Sequence, residues 1–173
     1  FVLKLEFRWD ILSNSGILFR SHQRAGENGR AYGLQYELDP TDRRWSAGIY
    51  DEGRRKWLAP VNKHPYEQSA IKLNDWNQIK LRAQGGRVQT WLNGIQVSDV
   101  VDAMDLMGFI ALQVHSGEKG QVRFRNIHIT ELGEHRWTSE GISDVSAWTV
   151  AGKGQLVATT ADLITLLGGS SLL

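Results

Sequence analysis

The chain of 173 residues has no cysteine, three prolines and two methionines, and its lysines and arginines nearly cancel its acids, leaving a formal charge of +1. Without cysteine there is no disulfide scaffold, no thiol nucleophile and no thiolate metal site, although the compartment stays open. The near-zero charge excludes the basic footprint of a protein that tracks phosphates, so no nucleic-acid partner is expected. No apolar run approaches the ~20 residues that span a bilayer, so no membrane span is expected either. HExxH, GxSxG, P-loop, strand-linked GxGxxG and EF-hand patterns are all absent. The histidines at 22, 64, 115, 128 and 135 lack metal-ligand spacing, so no cofactor or metal is required, and a divalent cation is permitted but not demanded. A signal-peptide pattern is missing and the chain opens on Phe1, which reads as a processed or truncated chain.

What the chain does have is a period of two almost everywhere. Phe1, Leu3, Leu5 and Phe7 share one face of a first strand. Residues 33–39 alternate in the same way, with Leu34, Tyr36 and Leu38 opposite Gln35, Glu37 and Asp39. Residues 79–83 and 88–92 flank a turn at 84–87, and Asn93-Gly94 is the strongest short turn signal, followed by a short return strand at 95–97. Residues 109–115 and 122–129 are two more strands around the polar loop 116–120, and residues 145–150 and 155–159 read as a hairpin about a turn at 151–154. Helical patterns are confined to 65–70 and 101–107. Many short strands with frequent turns predict an all-β, two-sheet antiparallel sandwich with at most one or two short helices. Among the seven tryptophans, Trp76 and Trp91 are the best core candidates.

Three groups of polar residues stand out. Gln35, Glu37 and Asp39 step along one strand face, ~6.6–7 Å apart, and the bland account of such a face is solvation. Gln113 and His115 share the face opposite Ile110, Leu112 and Val114, where a strand-end histidine making one backbone bond is the simple alternative. Leu18 and Arg20 lie opposite Ile17 and Phe19, and Arg123 and Arg125 opposite Val122 and Phe124, with surface charge as the ordinary explanation for the arginines. Were these strands neighbours, one face would collect carboxylate, amide, guanidinium and imidazole groups suited to a polyhydroxylated ligand. Trp45, Tyr50 and Trp57 could offer aromatic platforms to the apolar faces of a sugar ring.

The ordered motifs Asn14-Ser15-Gly16-Ile17-Leu18-Phe19-Arg20, Tyr36-Glu37-Leu38-Asp39-Pro40, Gly48-Ile49-Tyr50-Asp51, Trp76-Asn77, Trp91-Leu92-Asn93-Gly94, Gly108-Phe109-Ile110-Ala111-Leu112-Gln113-Val114-His115 and Phe124-Arg125-Asn126-Ile127 resemble the 3-keto-disaccharide hydrolase domain family. The resemblance covers roughly residues 1–132. It implies a concanavalin A-like, laminin-G-like jelly roll with a concave face, an exported (periplasmic or extracellular) setting, and cleavage of glycosides already oxidised to a ketone at C3. Such a ketone acidifies the C2 hydrogen, so a base can remove it and the C1 substituent can leave. Carried over by motif position, the resemblance implies Glu37 as base and His115 as acid or second base. It gives Arg20 and Gln113 as oxyanion and hydroxyl clamps and Asp39 and Tyr50 as ring-orienting groups. Gln35, Trp57 and Arg125 complete the expected substrate-binding set.

The family's leading segment, a Trp-containing strand, a Gly-rich hairpin and a Thr-rich strand, has its look-alike at residues 142–163 instead. The expectation is therefore a sandwich core at 1–133, with a hairpin and tail at 134–173 that complete it out of order beside residues 1–8, as in a circular permutation or a tandem-repeat junction. The apolar tail is alternatively an arm that contacts another protein. Two other readings stay open on the same fold: a non-catalytic carbohydrate-binding module, and a structural or accessory subunit of a larger assembly.

Overall fold

Strict alternation makes β1 (Val2–Ile11) the seam of the molecule: Leu3, Leu5, Phe7 and Trp9 are buried while the residues between them are not. In the computed structural model, which describes residues 1–25, 29–115 and 119–133 and the strand backbones of 155–160 and 163–167, the described strands form two antiparallel sheets. One sheet has seven strands in the order β11-β12-β10-β1-β6-β7-β8. Its members besides β1 are β6 (Asn77–Gln84), β7 (Arg87–Leu92), β8 (Ile95–Val101), β10 (Gln121–Thr130), β11 (Gln155–Thr160) and β12 (Leu163–Leu167). The other has five strands in the order β5-β4-β3-β2-β9, built from β2 (Ser15–Gln23), β3 (Ala31–Leu38), β4 (Ile49–Glu52), β5 (Lys56–Ala59) and β9 (Phe109–Val114). Between the sheets lie Leu3, Phe7, Leu81, Leu92 and Phe124 from one side and Ile17, Phe19, Leu34, Tyr36, Leu38 and Ile49 from the other. The chain is thus the all-β sandwich that its alternation predicts.

Polar ties cross this core. The buried Tyr36 hydroxyl donates to the Trp91 carbonyl at 3.0 Å, joining β3 to β7. Thr90 and Ser98 hydroxyls both donate to the Ala47 carbonyl, at 2.7 and 3.1 Å. Ala47 sits at φ 68°, in the loop between β3 and β4, so the opposite sheet holds that loop in a conformation a non-glycine residue seldom adopts. Asn93 and Gly94, both with positive φ, make the β7–β8 hairpin turn, and Asn93 also donates to Asn77 Oδ1 at 2.8 Å.

Several expectations change. Pro65–Gln68 is the one helical turn among the described residues, whereas 101–107 holds the end of β8 and a non-helical stretch. Trp76 and Trp91 are half-buried rather than core: Arg125 lies 3.7 Å from the Trp76 ring centre and Lys80 lies 4.0 Å from that of Trp91. Among the described residues, Trp9 is the tryptophan buried in the core. β11 pairs with β12, and β12 pairs with β10, so the late hairpin joins the same sheet as β1 but across β10 rather than against it. The anticipated strand at 145–150, its turn at 151–154 and part of the loop 116–120 lie outside the described residues.

Candidate functional site

Because Leu34, Tyr36 and Leu38 enter the core, Gln35 and Glu37 stand on the outer face of the five-stranded sheet. The strand order places β3 beside β2 and β2 beside β9. Gly16 of β2 pairs with Glu37 on one side and Gln113 on the other, and Leu18 pairs with Gln35 and Ala111. Tyr50 pairs with Gln35, and Trp57 with Tyr50. The sheet therefore presents two adjacent rows, one carrying Gln113, Gly16 and Glu37, the other Ala111, Leu18, Gln35, Tyr50 and Trp57.

Glu37 is the chemical centre of this face. It is 5% exposed, and each carboxylate oxygen accepts one amide hydrogen bond: Oε1 from Asn14 Nδ2 at 2.5 Å and Oε2 from Gln35 Nε2 at 2.8 Å. Burial pushes its carboxyl above the ordinary range, while the two amide bonds pull it back and Asp39 adds a like charge. Asn14, at the mouth of β2, also accepts the His115 N–H on its carbonyl at 3.1 Å. It thereby brings the end of β9 to the Glu37 carboxylate, with His115 exposed at that end. The missing side chain of Gly16 makes room for the Gln35 amide, since a Cβ there would lie 2.6 Å from Gln35 Nε2.

Asp39 is fully buried and turns into its own loop rather than to an open face. Oδ1 accepts from the Thr41 N–H at 3.1 Å and the Thr41 hydroxyl at 2.7 Å; Oδ2 accepts from Arg43 Nε at 2.7 Å and the Trp45 N–H at 3.2 Å. Four donors fill a carboxylate's capacity. Burial opposes ionisation of this group, but those donors outweigh it and hold the carboxyl below its usual range. Trp45 and Trp57 meet edge-to-face at 4.9 Å, and Tyr50 meets Trp57 at 5.1 Å. Arg43 lies over both tryptophans, 4.7 and 5.2 Å from the ring centres, so the aromatic shelf is shared with a guanidinium. Burial raises the Tyr50 hydroxyl, helped by Glu52 and Glu37.

Two of the expected residues stand elsewhere. Alternation fails at Arg20, where β2 bulges between Phe19 and His22 and the backbone turns to φ 49°. The Arg20 side chain is buried, which pushes its guanidinium down, and the charges acting on it are Asp102 and Asp105 of the connection between β8 and β9. Arg125 belongs to the seven-stranded sheet, where it pairs with Glu6 at 2.6 Å and stacks on Trp76. The structure therefore groups Gln35, Glu37, Tyr50, Trp57 and Gln113, reaches His115 through Asn14, gives Asp39 to the supporting loop, and separates Arg125. Asn14 and Arg43 were not singled out from sequence. The visible signal for Asn14 was its place immediately before a glycine-containing strand.

The chain matches the 3-keto-alpha-glucoside-1,2-lyase-like domain over residues 1–130. It belongs to that family. No curated protein matches it. Two crystal structures of Parabacteroides distasonis ATCC 8503 proteins, each named as a candidate glycosyl hydrolase, are similar in structure. One is 17% identical, with a TM-score of 0.48, covering 73% of this chain and 69% of that one. The second is 16% identical, with a TM-score of 0.46, covering 73% and 75%. In this member of the lyase-like family no group of three or more His, Cys, Asp or Glu residues is placed to hold a metal ion among the described residues. None of their helices is long and apolar enough to cross a membrane.

Proposed function

We propose that the domain cleaves 3-keto-glycosides by removing the C2 proton and expelling the C1 substituent, with Glu37 as the base. The observation that carries this reading is the Glu37 carboxylate itself: buried, raised by desolvation, and held by two amides on the face of a 3-keto-alpha-glucoside-1,2-lyase-like domain. A carboxylate with a raised pKa is a stronger base once ionised, and C–H removal next to a ketone is a task that needs one.

In the proposed step the C2–H bond breaks, its proton goes to Glu37 and its electron pair moves toward the C3 oxygen as an enolate. The enolate then collapses, a C1–C2 double bond forms, the C1–O bond breaks, and the leaving oxygen takes up a proton. His115, exposed at the end of β9, is the proposed donor of that proton. Addition of water across the new double bond would make the net reaction a hydrolysis. Tyr50 and Trp57, in the row beside Glu37, would carry the sugar ring.

The test is incubation with a 3-keto-glucoside bearing a chromogenic leaving group, comparing wild type with Glu37→Gln and His115→Ala. Release by wild type, lost in Glu37→Gln and weakened in His115→Ala, is the expected result. No release by wild type under any condition would remove the enzymatic reading.

A further inference from the structure

The outer face of the seven-stranded sheet carries basic side chains in two kinds of setting. Four are matched to an acid on the same face: Arg8 and Arg123 both meet Asp10, Arg125 meets Glu6 at 2.6 Å, and Arg87 meets Asp99 at 2.6 Å. The row formed by His128, Lys4, Lys80 and Trp91 is built differently. Strand pairing sets these residues side by side across β10, β1, β6 and β7: Lys4 lies opposite His128 on one side and Lys80 on the other, and Lys80 lies opposite Trp91. None of its three basic side chains has an ion pair among the described residues. Like charges directly across a ladder oppose folding, and glutamine or threonine would serve a merely solvated face better. Lys4 and His128 are exposed, and Lys80 places its ammonium 4.0 Å from the Trp91 ring centre. The Trp91 carbonyl accepts the Tyr36 hydroxyl from the core at 3.0 Å, so that ring stands on fixed backbone.

We infer that this row is a docking surface for a polyuronate, a polysaccharide with one carboxylate on every ring, laid across the strands on the face remote from Glu37. A pyranose ring is roughly one strand spacing long, so successive rings follow the ~4.8 Å step from β10 to β7. One basic group per strand calls for one anion per ring, which a polyuronate supplies and a glycan with sparser charges does not. The ammonium groups suit the carboxylates, and the Trp91 ring suits the apolar C–H face of a sugar at the end of the row. A nucleic acid fits less well: its phosphates would also fall on Glu6 and Asp10, and a formal charge of +1 gives no broad basic footprint. The surface goes beyond the reaction proposed for the other sheet and does not depend on it. It holds the domain on an acidic glycan whatever Glu37 does.

The experiment titrates the full chain at low salt with hexagalacturonate, its carboxyl-reduced neutral analogue, a single-stranded DNA hexamer and anionic phospholipid vesicles. Wild type is expected to bind hexagalacturonate and to lose that binding at about 1 M salt, where charges are screened within ~3 Å. The double variant Lys4→Gln, Lys80→Gln should bind about 5–20-fold more weakly, and Lys4→Gln alone about 2–5-fold. Both should melt at the same or a higher temperature than wild type, because a pair of like charges is gone. Arg87→Gln removes a cation already matched by Asp99 and should bind within about 2-fold of wild type. Turnover of a small 3-keto-glucoside should be the same in the double variant as in wild type, so loss of either reading leaves the other standing. No binding by wild type, full binding by the double variant, or equal binding of the neutral analogue each overturns the surface. Tighter binding of the DNA hexamer or of the vesicles gives the row to phosphates and overturns the polyuronate.

Discussion

Asn14 donates its side-chain amide to Glu37 Oε1 at 2.5 Å while its own carbonyl receives the His115 backbone N–H at 3.1 Å. One residue thus sets both the protonation of the proposed base and the position of the strand end that carries the proposed acid. Replacing Asn14 by Leu removes a bond that favours the ionised carboxylate, and burial then acts on Glu37 less opposed. The acid limb of the pH–rate profile should move to higher pH, with kcat falling more than KM changes. An unmoved acid limb would mean that Glu37 is not the group whose ionisation limits the rate.

Glu37 should lower the stability of the fold near neutral pH. A carboxyl raised in the folded state adds stability below its unfolded value of about 4.3 and loses it as pH rises through the folded value. Glu37→Gln is expected to be at least as stable as wild type near pH 7 and to lose that advantage in acid. Gln35 can reverse its amide to accept from the new side chain. Urea titrations at both pH values measure the difference, and a variant that is less stable at neutral pH contradicts the assignment.

Asp39 behaves in the opposite sense. Its carboxyl is held down by Thr41, Arg43 and Trp45, so its contribution is present above its unfolded value of about 3.9 and disappears as pH falls through the lower folded value. Asp39→Asn should cost about 1–3 kcal/mol near neutral pH, because charge-assisted bonds to a buried group are lost. The gap to wild type should close in strong acid. Chemical denaturation across that range measures both.

Gly16→Ala separates backbone from side-chain effects. Gly16 does not have positive φ, so alanine fits its backbone, but the added methyl would displace the Gln35 amide from its 2.8 Å bond to Glu37. The variant should fold with wild-type far-ultraviolet circular dichroism and lose most of its turnover. A fully active Gly16→Ala would show that the Gln35–Glu37 bond is dispensable.

Much of this architecture is legible in the sequence, and the boundary has physical causes. Alternation reports which face of its own strand a residue occupies, so Gln35 and Glu37 opposite Leu34 and Tyr36 were legible, as was Gln113 opposite Leu112. It does not report which sheet a strand joins, which is why Arg125 of β10 looked like a neighbour of Gln113. A bulge breaks the period without changing composition, so nothing in Phe19-Arg20-Ser21 warned that Arg20 leaves the face of Leu18. Trp76 and Trp91 misled in another way, since a large ring can be covered by arginine or lysine as well as by core. The family motifs added Glu37 and His115 as a pair, but the residue joining them, Asn14, is a contact between chain positions 23 apart that no periodicity encodes.

The ladder between β10 and β12 runs from Gln121 to Arg125 on one strand and from Leu163 to Leu167 on the other. On a ribosome, the far side of β10 therefore waits for about 37 further residues, roughly 2–7 s at ordinary elongation rates, before its partner exists. Throughout that interval the nascent chain offers a row of unpaired amides and carbonyls to any neighbouring extended segment. The late hairpin is thus a closing flap for an otherwise adhesive margin, and expression yield will depend on how soon it arrives.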